Sequence, residues 1–169
     1  LATGYFGAEM CEIESSDTIA IIGSGPVGMC CMMCAKVMGA NKIIAIDIDE
    51  TRLDIARNQS IADYFLNPNN CDIENEIKLL TNGRGADKVI EAGGTKETFE
   101  MSYKIARANA IVGVVALYEE NASYSKTRSI LYFVFETEKT NSIVAHSSFV
   151  EKVDFNLLCR PTLEEGSFP

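Results

Sequence analysis

The segment Thr18-Ile19-Ala20-Ile21-Ile22-Gly23-Ser24-Gly25-Pro26-Val27-Gly28 constrains the fold more than any other part of the chain, because a glycine-rich turn directly follows a short, continuous apolar run. Such a run, without polar alternation, is the pattern of a strand covered on both faces, as in a parallel sheet. The glycine spacing gives each residue a task. Gly23 permits the tight turn out of the strand, Gly25 lets backbone approach a pyrophosphate, and Gly28 lets the following helix pack closely. Pro26 stands where a missing N–H is harmless, and residues 27–37 read as an apolar helix, rich in Met and Cys, that ends before Gly39. Phosphate at the N-terminus of that helix would meet unpaired N–H groups and the positive end of the macrodipole, with no lysine required.

A second apolar run, Lys42-Ile43-Ile44-Ala45-Ile46, ends in Asp47, nineteen residues beyond Gly28. A carboxylate at about that spacing reaches an adenosine ribose. It accepts hydrogen bonds from a 2′-hydroxyl and repels a 2′-phosphate, so a carboxylate at that ribose favours NAD over NADP.

The strand-then-helix unit recurs along the chain, which predicts an α/β fold: a doubly wound parallel sheet with helices on both faces. Residues 50–58 are charged and helical in pattern, residues 62–66 form a short strand stopped by Asn67-Pro68, and residues 72–81 form a helix with Asp72 near its N-cap. After Asn82-Gly83-Arg84-Gly85, residues 86–91 form a strand ending in Ala92-Gly93-Gly94. A helix from Thr95 to about Arg107 and a fifth strand over 110–117 complete five alternations. Beyond Tyr118 the pattern weakens. Residues 119–125 read as a polar loop, residues 130–135 as an apolar core or edge segment, residues 142–146 as a candidate sixth strand, and residues 151–169 show no clear period.

At 169 residues and 47% hydrophobic content the chain reads as one domain able to bury a core. No stretch is long and clean enough for a transmembrane helix, and no signal peptide is visible. A net charge of −9 opposes nucleic acid and anionic membrane surfaces, whose phosphates call for a basic face. Cys30, Cys31 and Cys34 fall within the apolar helix pattern, and Cys11, Cys71 and Cys159 are scattered, so reduced thiols and a cytoplasmic location are expected. Cys31 and Cys34 have no second CxxC and the sole histidine, His146, lies far away, which argues against a zinc site within the chain. His146 lacks a neighbouring acid or nucleophile and reads as structural. Glu91, a strand-end carboxylate, reads as a local hydrogen-bonding group.

With the glycine turn, Asp47 and the Ala92-Gly93-Gly94 strand end in hand, the chain resembles the cofactor-binding (Rossmann) domain of the medium-chain, zinc-type alcohol and polyol dehydrogenases. The resemblance covers roughly residues 2–117. Thr3-Gly4-Tyr5-Phe6-Gly7-Ala8 is similar to that family's opening helix, Asp17 to Gly28 to its nucleotide turn, Asp47-Ile48-Asp49-Glu50-Thr51-Arg52-Leu53 to its ribose-binding strand end, and Gly83-Arg84-Gly85-Ala86-Asp87 with Val89-Ile90-Glu91 to its fourth strand. The resemblance implies that Gly23, Gly25, Pro26, Val27 and Gly28 line the pyrophosphate, Asp47 holds the adenosine ribose and Arg52 flanks it. It also implies that Ala92 and Gly93 pass near the second ribose, and that Val115, Ala116 and Leu117 approach the nicotinamide carboxamide.

The same resemblance implies hydride transfer between an alcohol and NAD, assisted by a catalytic zinc that belongs to a separate catalytic domain of the full-length enzyme. The present chain, beginning with Leu1, is then expected to be a fragment that binds NAD, is inactive alone, and pairs with the missing catalytic domain and with a second copy through the cofactor domain. Two alternatives stay open. One is a free-standing nucleotide-binding or sensor module, and the other is the cofactor domain of a zinc-free quinone or enoyl reductase.

Overall fold

Alternating strand and helix signals in the sequence become a single mixed sheet flanked by helices. The computed structural model describes residues 1–116 together with the strands Phe133–Thr137 and Ile143–His146. In chain order the elements are α1 (Ala2–Met10), β1 (Thr18–Ile22), α2 (Pro26–Val37), β2 (Lys42–Ile46), α3 (Glu50–Asn58) and β3 (Tyr64–Leu66). They continue with α4 (Ile73–Leu80), β4 (Ala86–Glu91), α5 (Lys96–Ile105), β5 (Ala106–Val114), β6 (Phe133–Thr137) and β7 (Ile143–His146). The strand order is β3-β2-β1-β4-β5-β6-β7.

The first five strands are parallel, with Ile22 beside Ile46 on one flank and beside Glu91 on the other. Successive side chains point to opposite faces. Ile19 and Ile21, with Ile43, Ala45 and Ile90, pack under Cys31, Met32 and Ala35 of α2 and Leu53 and Ala56 of α3. Ala20 and Ile22, with Ile44, Ile46 and Val89, pack against Ile73 and Ile77 of α4 and Phe99 and Ile105 of α5. The doubly wound expectation therefore holds, and both faces explain why these strands carry no polar alternation.

Side-chain caps set where several helices begin. The Asp49 carboxylate accepts from Thr51 N–H, Asp72 accepts from Asn75 N–H, and Thr95 and Thr98 form a reciprocal capping box.

The structure corrects three boundaries and one strand count read from the sequence. The strand expected over 62–66 begins only at Tyr64. Helix α5 stops at Ile105 rather than near Arg107, because Arg107 Nε turns to donate to Asp87 Oδ1 at 2.7 Å. The fifth strand runs over Ala106–Val114 instead of 110–117, since a register shift lets Ala106 pair with Ala86 before Ile111 resumes opposite Lys88. The sixth strand expected at 142–146 is the seventh, β7, because β6 precedes it; β6 runs antiparallel to β5 and β7 antiparallel to β6. Leu117, the polar segment 119–125, Cys159 and the tail 151–169 lie outside the described residues. Among the described residues, no helix is long and apolar enough to cross a membrane.

Candidate functional site

The carboxyl ends of β1, β2, β4 and β5 share one edge of the sheet. Between β1 and β4 the connections diverge to opposite sides, the place where open α/β sheets form a ligand crevice. Here Gly23 follows β1. Its N–H donates to the Ile46 carbonyl at 2.8 Å, its φ is +94°, and a Cβ on it would lie 2.9 Å from the Ala92 backbone. A side chain at this point would thus be strained and would push apart the ends of β1 and β4. Gly28, buried in the first turn of α2, seats that helix on the turn, for a Cβ there would overlap the Gly23 carbonyl oxygen.

Gly25 differs from both. It is the N-cap of α2, in extended conformation, with Pro26 beginning the helix and no side-chain cap bond. A Cβ on it would meet nothing within 4 Å. The turn is therefore tight below and open above, at a helix start whose first N–H groups lack side-chain acceptors. Ser24, with no exposed surface, carries the one buried side-chain oxygen or nitrogen among the described residues that lacks a hydrogen-bond partner, its Oγ.

Asp47 stands at the end of β2, beside this turn, and is 7% exposed. Its Oδ2 accepts the Ser24 N–H at 2.6 Å, and its Oδ1 accepts the Asp49 N–H at 2.9 Å. Arg52, half-exposed on α3, reaches both acids, with Nη1 3.7 Å from Asp47 Oδ2 and Nε 3.5 Å from Asp49 Oδ2. A 2′-hydroxyl donor can share the remaining lone pairs of the Asp47 carboxylate. The sequence signalled Asp47 by its spacing, but nothing local marked Ser24 as its partner.

Across the crevice, the fully buried Glu91 accepts from Gly93 and Gly94 N–H groups through Oε1, at 2.8 and 2.9 Å, as the local role read from the sequence requires. Ala92 N–H donates to the Ile22 carbonyl, so Ala92 and Gly93 lie against the glycine turn. Val115 and Ala116, both buried, follow β5 on the same edge, and the Val115 N–H is taken by the Glu91 carbonyl at 2.9 Å. Gly23, Gly25, Pro26, Val27, Gly28, Asp47, Arg52, Ala92, Gly93, Val115 and Ala116 thus belong to one edge of the sheet; Leu117 lies outside the described residues.

The edge suits a dinucleotide. The gap above Gly25 accommodates a group that approaches backbone closely, the helix start favours an anion, and the neighbouring carboxylate accepts from hydroxyls. Zinc is a different matter. Among the described residues no group of three or more His, Cys, Asp or Glu is placed to hold a metal ion. Burial pushes the Cys11 and Cys31 thiols up to about 12, so both stay protonated near neutral pH.

A family model described as zinc-binding dehydrogenase matches residues 26–153. An alcohol dehydrogenase of Cupriavidus necator is 41% identical over 121 residues, covering 72% of this chain and 33% of its own. The NADP-dependent isopropanol dehydrogenase of Thermoanaerobacter brockii is 34% identical over 120 residues, covering 71% and 34%. Among solved structures, the alcohol dehydrogenase TADH from Thermus sp. ATN1 superimposes with a TM-score of 0.66 at 30% identity, covering 75% of this chain and 36% of that one. The chain spans about a third of the length of these curated relatives.

Proposed function

The chain belongs to the zinc-binding dehydrogenase family, and from that premise we propose that it is the NAD(H)-binding part of an alcohol or polyol dehydrogenase. Gly23, Gly25, Pro26, Val27 and Gly28 hold the diphosphate, and the Asp47 carboxylate accepts from the adenosine ribose with Arg52 at its side. Ala92 and Gly93 flank the second ribose. Val115, Ala116 and Leu117 meet the carboxamide, Val115 through its carbonyl because its N–H is engaged by Glu91. The bound nicotinamide supplies hydride acceptance and donation. These residues fix where it lies and in which orientation.

The observation that carries the reading is the shape of the turn, closed around Gly23 and Gly28 and open above Gly25. Asp47 supports NAD as the preferred cofactor, since a 2′-phosphate would bring a second negative charge against a buried carboxylate. Some relatives are NADP-dependent by name, and Arg52 is the group here that offsets that repulsion. The family's catalytic zinc finds no ligand set among the described residues. Free thiols at Cys11, Cys30, Cys31, Cys34 and Cys71 support a reducing, cytoplasmic setting.

Calorimetric titration of the chain with NAD, NADP and adenosine fragments tests the proposal. The expected result is weak NAD binding, NADP weaker by about tenfold, and no alcohol oxidation by the chain alone. Absence of any NAD heat at millimolar ligand, or turnover of alcohol by this chain, would refute it.

A further inference from the structure

We propose that Asp47 is also a positioning residue for the diphosphate, acting through Ser24 rather than by contact with phosphate; this rests on the nucleotide reading above. One buried carboxylate ties two turns together. Oδ2 holds the Ser24 N–H of the β1–α2 turn at 2.6 Å, and Oδ1 holds the N–H of Asp49, the residue that caps α3, at 2.9 Å. Ser24 lies between Gly23, pinned against Ala92, and Gly25, where the turn opens. The Asp47 bond spans 23 residues and crosses from the end of β2 to the turn after β1. It therefore sets the position from which Gly25 presents the helix start.

The need for that bond follows from the surroundings of Ser24. Its side chain is fully buried and its hydroxyl already lacks a partner. Without Asp47 the buried N–H would lose its acceptor too, and a turn with two unpartnered polar atoms shifts to reach water. Arg52, 3.7 Å from Oδ2, keeps the carboxylate balanced without replacing that bond. The acid that recognises the ribose thus also preorganises the phosphate turn, so its loss weakens ligands that lack the ribose hydroxyls.

An NAD analogue with a 2′,3′-dideoxy adenosine ribose separates the two roles, since it keeps the diphosphate and gives Asp47 nothing to accept from. Asp47→Ala is expected to bind this analogue about five- to tenfold more weakly than the parent chain, with Asp47→Asn, which keeps one acceptor oxygen, between them. In the ligand-free chain, amide exchange at Ser24 is expected to be slow and to accelerate at least tenfold in Asp47→Ala. If Asp47→Ala does not fold, the Asp47→Asn comparison carries both measurements. Equal affinities of parent and variant for the dideoxy analogue, or unchanged Ser24 exchange, would overturn the proposal while leaving NAD binding intact. Failure of the parent chain to bind NAD would instead remove the nucleotide reading on which it rests.

Discussion

A methyl group on Gly28 would overlap the carbonyl oxygen of Gly23. Helix α2 and the end of β1 therefore touch backbone to backbone, and the contact has no room to give. Gly28→Ala is expected to lower stability by about 2 kcal/mol, the scale of overpacking a closed site, and to weaken NAD binding. Gly25→Ala gives the opposite pattern, because its Cβ meets open space and its φ of −72° suits any residue. That variant is expected to lose about 1 kcal/mol or less, yet bind NAD at least tenfold more weakly. Urea melts and titration of both variants check the contrast; a stable Gly28→Ala variant would contradict it.

Arg52 bridges Asp47 and Asp49 from an exposed position. An exposed guanidinium contributes modestly, so Arg52→Ala is expected to cost about two- to fivefold in NADP affinity and less than twofold in NAD affinity. The preference for NAD thereby widens. Parallel titrations with both cofactors decide it, and an unchanged ratio would show that the cation plays no part in the choice.

Asp87 anchors the opposite edge of the sheet. Burial works against its charge, but the Thr18 N–H and Arg107, together with Arg84, outweigh it and hold the carboxyl below its ordinary value of 3.8. A carboxylate with a lowered folded pKa adds stability above its unfolded pKa and loses it as pH falls through the folded one. Stability is thus expected to drop as pH falls through the ordinary carboxylate value of 3.8 and below it. Asp87→Asn is expected to cost about 2 kcal/mol at neutral pH and to flatten that acid limb. Urea midpoints across pH provide the measurement.

Cys11 and Cys31, fully buried and held near 12 by that burial, have almost no thiolate at pH 8. Maleimide labelling of the native chain is expected to spare both and to reach them once urea unfolds it. Peptide mapping by mass spectrometry reads the outcome, and rapid native labelling of either would mean that the α1–α2 seam opens readily.

Glycine spacing, the apolar runs and the acid at the end of the second run determined from sequence alone the five parallel strands, the glycine turn and the carboxylate beside it. These are near-neighbour properties: steric limits on φ, side-chain periodicity and capping act within a few residues. The tertiary structure decided the rest. Arg107 leaves the helical pattern to reach Asp87, twenty residues away, and Ser24 donates to Asp47 across two strands. It also set β6 antiparallel to β5 and β7 antiparallel to β6. Such partners are chosen by which polar groups meet once the helices have closed over both faces of the sheet, and nothing in the local sequence names them.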